Sequence, residues 1–97
     1  MRSIARLADL KSVIGEELAI SNWFTVDQQR INLFAEATGD HQWIHVDPER
    51  AASGPFGAPI AHGYLTLSMM PLFMQDALKF EDVGMSVNYG LNRVRFT

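Results

Sequence analysis

Two short stretches of this chain hold the side chains that could do chemistry. "GDHQWIHVDPE", residues 39–49, brings Asp40, His41, His45 and Asp47 close together. "PIAHG", residues 59–63, adds His62 ahead of Gly63. A carboxylate and an imidazole aimed at one point can hold a water molecule and move its protons. Imidazole is also the side-chain type that trades a proton near neutral pH. Each residue has a plain structural reading beside the chemical one. Asp40 can cap a helix, His45 can bond a nearby carbonyl, and His62 can open a helix. The pair His41 and His45 invites a metal reading, which needs both on one helical face. Gly39 before them and Asp47-Pro48 after them argue against a helix there. Gln42 stands where a zincin helix carries its glutamate. No metal site and no cofactor are expected.

The flanking elements must position these residues. Residues 4–13 show a weak helical rhythm that Gly15 ends. Residues 17–24 alternate Leu18 and Ile20 on one face and read as a strand. Thr25 with Gln28 fits a capping box opening a helix. Ile31, Phe34, Ala35 and Thr38 share one face of that helix. Gly39 suits the left-handed residue after it. Asp47 caps a short helix with Pro48 at its first position, ending near residue 53. Residues 54–59, "GPFGAP", make a shaped loop. Residues 60–80 read as a long helix, apolar nearly all round and therefore central, with a bend at Pro71. Residues 82–97 return to period two, with Met85, Val87 and Tyr89 on one face, Gly90 a candidate bulge, and Leu91, Val94 and Phe96 beyond it.

The bulk properties exclude several classes. The chain has 97 residues, 47% of them hydrophobic, which suits one small globular domain over residues 1–97. A net charge of −3 leaves no basic footprint, so nucleic acid is not an expected partner. Cysteine is absent, which removes disulfide and thiolate chemistry. The N-terminal residues carry charges throughout and hold no apolar core of signal-peptide length. The apolar region is interrupted by Thr66, Ser68, Pro71, Gln75, Asp76 and Lys79, so no membrane span and a cytoplasmic location are expected.

Taken together, the two stretches resemble the MaoC-like hydratases, also called R-specific enoyl-CoA hydratases. The matching residues are Gly39, Asp40, Ile44, His45 and Asp47, then Pro59, Ile60, Ala61, His62 and Gly63. The family's usual Asn-Pro is Gln42-Trp43 here. The resemblance implies an α+β hotdog fold, an antiparallel sheet wrapped around a long central helix. Family members run to about one and a half times this length, so the last strands of the sheet are expected to be missing. The activity implied is reversible syn hydration of a trans-2-enoyl-CoA to the (3R)-3-hydroxyacyl-CoA. Asp40 and His45 would be the catalytic pair. The Gly63 N–H would receive the thioester oxygen, and His62, Gly39 and Asp47 would support the site. Trp43 and Tyr64 would line the acyl pocket. Some members use a serine on the central helix; that position falls at Pro71, with Ser68 one turn earlier. Coenzyme A enters only as part of the substrate, with Arg93 and Arg95 as candidates to attract its phosphates. The family is dimeric, so a homodimer or higher oligomer is expected. The alternatives are a non-catalytic acyl-thioester-binding protein and a half-domain completed by another chain.

Overall fold

Asp27, Asp47 and Gly39 set the best-defined boundaries in the molecule. In the computed structural model, which describes residues 1–97, helix α1 spans Gln28–Thr38. The Asp27 carboxylate accepts from the Arg30 N–H, and Gly39 closes the helix at φ 79°. A side chain with a Cβ resists that backbone, so glycine is suited to it. The start falls at Asp27 and not at Thr25, because the aspartate takes the orphan N–H three residues on. One helical turn, α2, spans Trp43–Val46. Helix α3, Pro48–Ala52, begins as the sequence predicts: Asp47 accepts from Arg50 N–H and Pro48 takes the first position.

The expected long central helix is instead two shorter ones. Helix α4 spans Gly63–Ser68 and α5 spans Met70–Ala77, with the interruption at Met69. Pro71 explains the restart. It is the second residue of α5, where a missing N–H costs no intrahelical bond. Nor is the helix enclosed. Tyr64, Met70 and Met74 are exposed, while Leu65, Met69 and Ala77 are buried.

The strands also differ from expectation. Arg2–Ile4 forms β1 and Leu78–Phe80 forms β2, paired parallel with Ile4 opposite Phe80. Residues 17–24 and 82–97 form no strand, so Gly90 is no bulge, and residues 7–13 form a 3-10 helix. Alternation of side chains defines two faces, but a strand also needs a neighbour for its N–H and C=O groups. No such ladder forms along these two segments.

The chain divides into two compact units: residues 1–22 with 71–97, and residues 23–70. In the first, Asp82 accepts from the Leu7 N–H, Asp76 accepts from the Asn22 N–H, and Ile4 is buried. In the second, Ile31, Ala35, Ala51, Leu65 and Met69 are buried together with His45 and His62. All the chemistry-bearing residues of the two motifs belong to this second unit. No helix is long and apolar enough to cross a membrane.

Candidate functional site

The two motifs meet at their histidines. The rings of His45 and His62 stack with centroids 3.9 Å apart and planes 23° apart. Phe34, on α1, covers the other ring contact of His62 at 4.9 Å. Both histidines are buried, His45 with 7% and His62 with 2% of its surface exposed. Buried imidazoles need partners for their N–H groups, and the backbone supplies them. His45 Nδ1 lies 2.7 Å from the Ile60 carbonyl. His62 Nε2 lies 2.9 Å from the Asp40 carbonyl. A carbonyl only accepts, so each of these nitrogens donates a proton to it. The other ring nitrogen of His62, Nδ1, is buried without a hydrogen-bond partner.

The loop between the motifs is tied to this pair. The Ile60 N–H donates to the Ile44 carbonyl at 2.9 Å, while its own carbonyl receives His45. Ile60 thus brackets His45 on both sides. His62 in turn holds the backbone of Asp40, whose exposed carboxylate stays near the stack. One donor atom from each of Asp40, His45 and His62 lies within 4.8 Å of the other two.

Two histidines and a carboxylate at this range form a possible metal set, different from the pair His41 and His45. The geometry does not suit one ion. A ring nitrogen binds zinc at about 2 Å in the plane of its ring. Two nearly parallel planes stacked face to face do not meet at such a point, so one ring would have to turn. His41 lies before α2, outside the helix that holds His45, and faces Glu36 at 3.9 Å. The arrangement suits holding a small polar molecule between the Asp40 carboxylate and a histidine lone pair.

The remaining candidates are distributed as follows. Gly63 is the first residue of α4, and the first intrahelical bonds go from Leu65 and Thr66 to the His62 carbonyl. Its own N–H therefore precedes the helical ladder. Asp47 uses its carboxylate on the Arg50 N–H at 3.1 Å and acts as a cap. Trp43 is half-buried beneath the Arg50 guanidinium, 4.4 Å from the ring centroid, and packs against Gly54. Tyr64 is mostly exposed. Ser68 spends its hydroxyl on the Tyr64 carbonyl at 2.7 Å. Arg93 and Arg95 lie in the exposed segment after β2. Gln28 is the residue that sequence reasoning missed: its side chain donates to the His45 carbonyl at 2.7 Å. The partners are far apart in sequence, and no local pattern pairs them.

The Asp40 carboxylate after α1 and the His45 imidazole on α2 thus lie within 4.8 Å of each other. Comparison with known proteins gives its lineage. The model of the MaoC like domain matches residues 9–97, and the chain belongs to this family. It is 53% identical over 96 residues to the 3-hydroxyacyl-thioester dehydratase Z of Mycobacterium tuberculosis, covering 99% of this chain and 64% of that protein. It is 53% identical over 92 residues to Nodulation protein N of Rhizobium meliloti, 93% of this chain and 57% of that protein. Protein MaoC of Klebsiella aerogenes is 35% identical over 75 residues, 74% of this chain and 21% of that protein. The chain thus spans just under two thirds of the mycobacterial relative's length.

Proposed function

We propose that this chain carries the acid–base site of an R-specific enoyl-thioester hydratase, a hydro-lyase acting reversibly on acyl-CoA. The observation that carries the reading is the buried His45, whose Nδ1 lies 2.7 Å from the Ile60 carbonyl and which brings a ring nitrogen within 4.8 Å of the Asp40 carboxylate. The mycobacterial relative's name, a 3-hydroxyacyl-thioester dehydratase, supports the same chemistry in the reverse direction.

In hydration, water rests between the Asp40 carboxylate and His45 Nε2. Its oxygen attacks the β-carbon as one proton passes to this pair. A proton is delivered from the pair to the α-carbon on the same face, which makes the addition syn. Positioned acid–base groups are typically worth about 10²–10⁴-fold. Negative charge develops on the thioester oxygen, where the Gly63 N–H serves as donor. A single oxyanion donor is worth roughly 3–4 kcal/mol. Glycine there lets the substrate approach the backbone closely. His62 positions both partners, Gly39 turns the chain toward Asp40, and Asp47 starts the helix behind His45. Trp43 and Tyr64 face the acyl chain. No cofactor beyond the coenzyme A of the substrate takes part. The setting proposed is a homodimeric or larger cytoplasmic enzyme of fatty acid metabolism. Residues 1–97 belong there to one hotdog domain.

The test mixes the purified protein with crotonyl-CoA and follows the conjugated enoyl absorbance. Loss of that absorbance is expected. The product should not be oxidised by an S-specific 3-hydroxyacyl-CoA dehydrogenase. Steady cofactor reduction in that coupled assay would overturn the R assignment, and unchanged enoyl absorbance would overturn the activity.

A further inference from the structure

Gln28 suits a capping box by sequence, but its carboxamide is used elsewhere. Asp27 caps α1, and Gln28 Nε2 reaches two acceptors: Asn32 Oδ1 at 2.9 Å and the His45 carbonyl at 2.7 Å. An amide nitrogen has two hydrogens, one for each. Asn32 lies one turn along α1, on the same face as Gln28. It therefore orients the carboxamide toward His45.

The carbonyl that receives Gln28 needs such a donor. Helix α2 has only four residues, so its carbonyls must find donors beyond its own residues. The Trp43 carbonyl takes the Asp47 N–H and the Ile44 carbonyl takes the Ile60 N–H. The His45 carbonyl takes Gln28. His45 is thus gripped at two points, its backbone by a side chain of α1 and its ring by the Ile60 carbonyl.

We propose that Gln28, oriented by Asn32, is a positioning residue for His45. It fixes the backbone from which the ring reaches Ile60, and so fixes the direction of Nε2. This rests on the reading of His45 as an acid–base group. Gln28 itself acts through His45.

The experiment uses the protein with ¹⁵N-labelled histidine. In the wild type, His45 should show one tautomer, protonated on Nδ1. Gln28→Met keeps the length of the side chain and removes both donors. It should give a mixed or exchanging His45 signal and, in the hydratase assay, a kcat lower by on the order of tenfold with KM little changed. Asn32→Leu, at an exposed position away from the buried residues, should move the His45 signal in the same direction. Asn32→Asp keeps the acceptor and should retain the wild-type spectrum. An unchanged His45 signal in both Gln28→Met and Asn32→Leu overturns the proposal. A disturbed signal in a protein whose wild type hydrates no enoyl thioester upholds the positioning role and overturns the acid–base reading instead.

Discussion

Replacements of His45 and Asp40 test the proposed acid–base pair. Asp40→Asn and His45→Gln keep polarity and approximate size while removing the capacity to take a proton. Each should lower turnover by at least about 10²-fold with the fold retained, and steady-state kinetics beside a thermal melt checks both. Near-normal turnover in either variant would remove that residue from the chemistry. His41→Ala should leave turnover unchanged, because His41 is exposed and faces Glu36 at 3.9 Å. Gly54 makes a separate point about packing. A Cβ there would lie 2.8 and 2.9 Å from two ring carbons of Trp43. Gly54→Ala must therefore displace the indole from beneath Arg50, at about 1–3 kcal/mol by the usual range for overpacking. A lower melting temperature together with a shifted tryptophan emission is expected. These residues were legible to different degrees. Asp40, His45 and His62 stand out by type and spacing. The stacking of the two rings and the bond from Gln28 join positions far apart in the chain, which spacing cannot reveal.

At the scale of elements, local chemistry was legible and long-range pairing was not. Asp27 and Asp47 are cap residues whose partners lie three positions away, and Gly39 needs only its own backbone. The start of α3 and the end of α1 follow from such short-range bonds, whereas α1 starts at the Asp27 cap and not at the Thr25 capping box that the sequence suggests. Trp43–Val46 was missed as a helix because a glycine before and a proline after were read as excluding one, yet a single turn fits between them. The alternating residues 17–24 and 82–97 show the opposite error, since pattern alone provides no strand partner. The caps give a direct prediction. Asp27→Ala removes the acceptor for the Arg30 N–H, and Asp47→Ala removes that for the Arg50 N–H. Each should cost about 1 kcal/mol, and Asn at either position should recover most of it. Denaturant unfolding measures both. The Asp47 variant should also lower turnover, because α3 begins directly behind the His45 turn; loss of stability with full turnover would confine Asp47 to capping.

For the whole molecule, the decisive quantity is how little is buried. The buried hydrophobic residues are Ile4, Ile31, Ala35, Ala51, Leu65, Met69 and Ala77, and three of these seven are alanine. A fully buried large apolar side chain contributes roughly 1.5–3 kcal/mol, and only Ile4, Ile31, Leu65 and Met69 are large buried ones here. Meanwhile Trp23 and Tyr89 are fully exposed, at 101% and 105%, and Met85, Val87, Leu91, Val94 and Phe96 are exposed as well. The period-two pattern that suggested a strand over residues 82–97 therefore leaves apolar side chains in water. Exposed apolar surface on this scale predicts association. The 97-residue chain should accordingly associate, and should bind a hydrophobic dye. Analytical sedimentation reads the first outcome and dye fluorescence the second. A compact species at the monomer mass of 10.9 kDa, with a cooperative thermal transition and little dye binding, would show that these few buried side chains suffice.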